Sequence, residues 1–200
     1  MHEICGVVLA GGKSRRMGSD KALLSFDGGT FLEKIVHSMQ GVFAERLVVG
    51  RPAASGVSML SSDVPFFKDV REDCGPLGGM YTALLLCKSP AALFVSCDTP
   101  LMDKQVYETV CAAADPEGRR LVLVATGPGR WGNFPMLVPK TYIQKIRRLL
   151  DAGEHSIKSL VQEAITTPVL LQEEEKEKIH SINTPQDYEA LLRKHRALVA

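Results

Sequence analysis

Apolar residues in this chain follow two rhythms, one of unbroken short runs and one of helical spacing. Ile4 to Ala10 and Ala92 to Cys97 are nearly continuous apolar runs and read as strands, the second buried on both faces. Arg46 to Val49, Leu121 to Thr126, "NFPMLVP" and Pro168 to Leu171 read as further strands. Helical spacing dominates between them. Leu32, Ile35, Val36, Met39 and Phe43 share one face of a helix predicted over Thr30 to Phe43. Thr30 and Glu33 open that helix with a T-x-x-E capping box.

A glycine-rich turn, "GPLGG" (Gly75 to Gly79), opens a second helix that stops near Ser89-Pro90. Asp103 caps a third, to about Ala114; Pro139 starts a fourth, which Gly153 ends; a short one spans Ser156 to Gln162. Thr184 takes the N-cap of the last helix, with Pro185 at its first position and Asp187 in its first turn. "QEEEKEK" (Gln172 to Lys178) is expected to be a solvated loop. Strands alternating with helices predict an α/β fold: a three-layer α/β/α arrangement around a mostly parallel sheet, in one domain spanning 1–200.

Composition narrows the function classes. With 200 residues the chain can close an ordinary core. A net charge of +1, with 24% charged residues, argues against a basic nucleic-acid-binding surface. No apolar run is long enough to cross a bilayer, and Ile4 to Ala10 lacks the flanks of a signal peptide. The five cysteines show no C-x-x-C spacing, which predicts neither a disulfide framework nor a zinc site and points to a reducing cytoplasm.

Candidate chemistry begins after the first strand, at "LAGGKSRRMGSDK" (Leu9 to Lys21). Gly-Lys-Ser invites comparison with a phosphate-binding P-loop, which needs a glycine five places before the second. Counting back from Gly12 reaches Val7, so the P-loop is excluded, and G-x-G-x-x-G is absent too. The physical logic still suits phosphate. Glycines at a strand end let backbone N–H groups approach an anion, and Lys13, Arg15, Arg16 and Lys21 supply cations beside them. A solvated basic turn is the competing reading. Asp98 directly follows the central strand, where open α/β sheets place their ligands. It is a candidate Mg²⁺ ligand; a turn-capping role before Thr99-Pro100 competes with it.

These stretches resemble the molybdenum cofactor guanylyltransferase (MobA) family, nucleotidyltransferases of the glycosyltransferase-A fold. "LAGGKSRRMGSDK" is similar to that family's L-A-G-G-x-S-x-R-M-G-x-D-K signature, and "GPLGG", "SCDTPLM" (96–102) and "INTPQD" (182–187) follow in order. The resemblance implies GMP transfer from GTP to the phosphate of molybdopterin, with release of pyrophosphate. It further implies that Asp98 binds Mg²⁺, that Lys21 contacts phosphate, and that the Leu9-Ala10-Gly11 backbone borders the base, with Gly12 beside it. Asp69 aligns with a nucleotide-contacting acid. Arg16 joins Lys21 in stabilising the leaving pyrophosphate. Asn183 is a candidate second metal or phosphate contact, with turn chemistry as its alternative.

Two departures stand out. Relatives that carry an asparagine near the end of the second strand are matched here by Gly50 or Arg51. Phe134 stands before Pro135 where the family often has histidine. Rival expectations are a cytidylyltransferase on the same acceptor, a transferase with another phosphorylated acceptor, and a non-catalytic nucleotide-binding module. Expected partners are GTP and molybdopterin, with transient contact to cofactor-biosynthesis proteins or apo-molybdoenzymes.

Overall fold

The computed structural model describes residues 3–11, 21–50, 64–127 and 129–199. The chain begins with β1 (Ile4–Ala10) and a short hairpin, β2 (Ser25–Phe26) and β3 (Gly29–Thr30). Helix α1 (Phe31–Ser38), β4 (Glu45–Gly50), β5 (Phe66–Lys68), α2 (Gly75–Leu86) and β6 (Ala91–Ser96) follow. Then come α3 (Lys104–Ala112), the strands β7 (Arg120–Gly127) and β8 (Arg130–Pro139), and the helices α4 (Ile143–Asp151) and α5 (Ile157–Gln162). The edge strand β9 (Ile165–Val169), α6 (Glu173–Lys178) and α7 (Pro185–Val199) complete the fold.

Seven strands form one sheet in the order β5-β4-β1-β6-β8-β7-β9. Of these, β8 runs against the rest, pairing antiparallel with both β6 and β7. The sheet is mostly parallel, as the alternating pattern predicts. Its two faces carry separate cores. Ile4 and Val8 of β1 face a core with α1 and α3, while Cys5, Val7 and Leu9 face one with α2, α4 and α5. This alternation is why β1 and β6 read as continuous apolar runs: a strand covered on both faces has no solvent side. A third cluster of Phe26, Phe31, Ile182 and Leu191 docks α7 onto the β2–β3 hairpin and α1.

Local signals place the ends of most elements. The Thr30–Glu33 capping box is present, Asp103 accepts from Val106 N–H, and Thr184 Oγ1 accepts from Asp187 N–H at 3.2 Å. Three expectations need correction. Helix α1 ends at Ser38 rather than at Phe43, because the chain turns through Gly41 at φ +75°. Phe43 still packs into the same core. The last strand covers Ile165–Val169, a few residues earlier than predicted. "QEEEKEK" is helix α6 and not a loop. Glu175 is buried there, accepting from Thr109 Oγ1 at 2.6 Å and from Gln172 N–H at 2.8 Å. Among the described residues, no helix is long and apolar enough to cross a membrane.

Candidate active site at the carboxyl edge of the sheet

β1, β4, β5 and β6 are parallel, so their carboxyl ends share one edge, where the loops leave space for a ligand. A cleft of about 510 Å³ opens there. Leu9, Gly11, Val49 and Gly50 from the β1 and β4 ends line it, together with Asp69, Asp73 and, from α2, Gly75, Pro76 and Gly79. Ser96 of β6 and Phe134 of β8 complete the lining.

Two glycines make the cleft possible. A Cβ on Gly50 would lie 2.1 Å from the Ala10 carbonyl oxygen, so β1 and β4 can approach this closely only where that side chain is missing. A Cβ on Gly79 would sit 3.0 Å from Leu9 Cδ2 and 3.3 Å from Asp69 Oδ1. The bare α2 backbone therefore leaves room for the Asp69 carboxylate. Asp73 adopts φ +58°, a left-handed conformation that non-glycine residues seldom take, and Gly75 follows at +59°. These two reversals turn the chain sharply into α2, whose first turn has no side-chain cap and faces the cleft.

Beside the cleft, three polar side chains converge from distant parts of the chain. Lys21 Nζ donates to Asn183 Oδ1 at 2.7 Å and approaches Asp98 Oδ2 at 3.5 Å. Backbone hydrogen bonds anchor the segments that carry Asp98 and Asn183: Ile182 N–H donates to the Asp98 carbonyl at 2.8 Å, and Cys97 N–H donates to the Leu9 carbonyl at 3.3 Å. The Asp187 carboxylate accepts from the N–H groups of Asn183 and Thr184, each at 2.9 Å. Those hydrogen bonds, the one from Asn183 foremost, hold the Asp187 carboxyl below the usual carboxylate range. Among the described residues, Asp98 Oδ1 is buried with no hydrogen-bond partner.

Leu9, Gly11 and Asp69 thus line one cleft, and Lys21, Asp98 and Asn183 meet next to it. Ala10 contributes its carbonyl to the contact with Gly50 and does not line the cleft. Gly12 and Arg16 lie outside the described residues. Asp73, Ser96 and Phe134 carry no role in the sequence reading. For Phe134 the signal is present, as the departure from histidine before Pro135. For Asp73 it lies in Asp-Cys-Gly, a left-handed pair that no residue count reveals.

Among the described residues, no group of three or more His, Cys, Asp or Glu side chains forms a protein-only metal cage. Mg²⁺ rarely uses one; it takes one or two carboxylates and completes its shell with water and substrate phosphate. An orphaned buried oxygen on Asp98, with the Asn183 amide oxygen close by, is a hard-oxygen set of that kind.

Known proteins share this architecture. The family model for the MobA-like NTP transferase domain matches residues 6–169. The chain is 29% identical over 198 residues to a probable molybdenum cofactor guanylyltransferase of Bacillus cytotoxicus, covering 96% of this chain and 98% of that protein. Among solved structures, molybdopterin-guanine dinucleotide biosynthesis protein A of Archaeoglobus fulgidus superposes with a TM-score of 0.82 at 17% identity, over 97% of this chain and 100% of that one. The 2-C-methyl-D-erythritol 4-phosphate cytidylyltransferase of Thermus thermophilus gives 0.73 at 18%, over 98% and 100%. At those identities the two structures establish the fold.

Proposed function

The chain belongs to the MobA-like NTP transferase family, and from that premise we propose that it transfers GMP from GTP to the terminal phosphate of molybdopterin. A phosphate oxygen of the acceptor attacks the α-phosphorus of GTP. The new P–O bond forms as the bond from the α-phosphorus to the bridging oxygen breaks, and pyrophosphate leaves. Such chemistry asks for positioning and charge neutralisation rather than a covalent nucleophile.

The observation that carries this reading is the meeting of Lys21, Asp98 and Asn183 at the carboxyl edge of the sheet, beside a cleft of nucleoside size. Leu9 and Gly11 border the base. Asp69 is an acceptor suited to the N–H donors of guanine. Lys21 contacts the phosphates and gains interaction as charge builds on the departing pyrophosphate, with Arg16 alongside it. Mg²⁺, held by Asp98 with Asn183 as a second oxygen donor, neutralises phosphate charge when bound. The relatives named as guanylyltransferases support guanine over cytosine and molybdopterin over other acceptors. The product then passes to apo-molybdoenzymes or to other cofactor-assembly proteins in the cytoplasm.

The test is pyrophosphate release with Mg²⁺, molybdopterin and either GTP or CTP, each also run without acceptor. Release that requires both GTP and molybdopterin is expected. Preference for CTP would make the protein a cytidylyltransferase. GTP binding without release would leave only a binding module.

A further inference from the structure

The two oxygens that this reading assigns to a divalent cation already have a cationic neighbour in Lys21. Its ammonium sits 2.7 Å from Asn183 Oδ1 and 3.5 Å from Asp98 Oδ2. The side chains of Lys21 and Asp98 are only 15% and 16% exposed, so solvent screens the pair weakly. The backbones that carry these oxygens are held from behind, Asp98 through its own carbonyl and Asn183 through the Asp187 carboxylate, and the Asn183 side-chain amide also donates to the Ser181 carbonyl at 3.2 Å. Lys21 differs in kind. Its backbone is anchored in a short 3₁₀ turn, Lys21–Leu23, next to buried Ala22, but its ammonium rides on a four-carbon stem. Two oxygens on anchored backbone therefore face one cation on a long, movable stem.

We propose that Lys21 is a resident competitor for the divalent-cation site. Its ammonium and the metal ion are alternative occupants of the Asp98–Asn183 oxygen pair, and the metal gains the pair when nucleotide phosphates draw the ammonium away. The proposal rests on the nucleotidyltransferase reading, in which Asp98 holds the cation. Two cations sharing one pair of oxygens repel each other strongly at this depth. Phosphate offers the lysine a partner of higher charge. Metal and nucleotide then favour each other's binding, and that coupling is reciprocal. Asp98 Oδ1 remains without a hydrogen bond among the described residues, as expected of an atom kept for a ligand the lysine does not replace.

A sign reversal distinguishes this arrangement from a lysine that only binds phosphate. Without nucleotide, Lys21 weakens metal binding; with nucleotide, it strengthens it. The probe is Mn²⁺, whose free-ion electron paramagnetic resonance signal is titrated with wild type, Lys21→Met, Asp98→Asn and the double variant. Each is measured alone and with a non-hydrolysable GTP analogue. Without nucleotide, Lys21→Met is expected to bind Mn²⁺ at least about tenfold more tightly than wild type, the effect of one unit charge removed at a few ångströms. Adding Asp98→Asn cancels that gain. With the analogue the order inverts, and Lys21→Met binds Mn²⁺ more weakly than wild type.

Equal or weaker Mn²⁺ binding by nucleotide-free Lys21→Met overturns the proposal, as does a gain that survives Asp98→Asn. In the first case the metal reading still stands if Asp98→Asn weakens Mn²⁺ binding in the presence of the analogue. If Asp98→Asn leaves that binding unchanged, both ideas fall. Lys21→Gln, a shorter neutral side chain, must reproduce the result, and circular dichroism confirms that each variant is folded.

Discussion

Gly11 and Gly50 lie next to each other in the lining of the cleft, and replacing each with alanine should give opposite phenotypes. At Gly50 the new methyl would lie 2.1 Å from the Ala10 oxygen, 2.4 Å from its carbon and 3.0 Å from the Gly11 nitrogen. All three are backbone atoms at the end of β1, which cannot rotate aside, so the two strands must separate. Overpacking of this kind costs about 1–3 kcal/mol, or roughly 2–12 °C in Tm for a chain of this length. At Gly11 the nearest described atom to the added Cβ is Gly50 Cα, at 3.7 Å, an ordinary contact. Gly11→Ala should therefore melt within about 1–2 °C of wild type. Its methyl group enters the cleft instead, where a purine needs more room than a pyrimidine. An obstruction of that size is worth about 1–3 kcal/mol of discrimination, so kcat/KM for GTP relative to CTP should fall roughly 10- to 200-fold. Thermal unfolding and a competition assay with both nucleotides at equal concentration measure the two effects. The reasoning is refuted if Gly11→Ala melts as early as Gly50→Ala, or if its GTP/CTP ratio is unchanged; Asp69 would then be the next specificity residue to test.

The other predictions concern groups around the same edge. Asp98→Asn should lower turnover by at least roughly 10²-fold while circular dichroism shows the fold retained; wild-type rates at limiting Mg²⁺ would refute the metal assignment. Asp187 has a folded pKa below its ordinary value, so its stabilising contribution is complete above the usual carboxylate range and is lost as pH falls through the folded pKa. Acid unfolding of Asp187→Asn should accordingly show a shallower pH dependence than wild type. Cys97 packs in the core shared with α1 and α3; Cys97→Ala should keep full turnover at some loss of Tm. Burial pushes the thiols of Cys5 and Cys87 up and that of Cys111 to about 12, so iodoacetamide at pH 8 should label half-buried Cys74 first and these three only on unfolding.

What is legible in the sequence is what local chemistry determines. The range Ile4–Ala10, the Thr30 capping box and the Thr184–Asp187 start of α7 follow from a few neighbouring residues. The β2–β3 hairpin has a local signal too, Asp27-Gly28, both at positive φ, between Phe26 and Gly29; its strands are too short for any apolar rhythm to mark them. Helix α6 escapes the pattern for another reason. Its acidic run looks solvated, but Glu175 turns inward to a hydroxyl on α3, a partner 66 positions away. The reversed direction of β8, and with it the arrival of Phe134 at the cleft, is likewise decided by pairing with β6 and β7 and not by its own composition. In the candidate site the loop motifs name Lys21 and Asp98, but no motif states that Gly79 makes room for Asp69 or that Gly50 must stay bare.

The Lys21–Asp98–Asn183 cluster also has a history in time. Asp98 lies 77 positions beyond Lys21, and Asn183 lies 162 beyond it. On a ribosome, the residues that line the cleft, the last of them Phe134, are all made before Asn183 is. Asn183 emerges only after them, and its contact with Lys21 is non-local, of the kind that forms late. The segment that brings Ile182 against Asp98 and Asn183 against Lys21 is made after every residue that lines the cleft. A growing chain can thus hold every residue of the cleft and still lack the cluster beside it, which is complete only once Ile182 and Asn183 have joined.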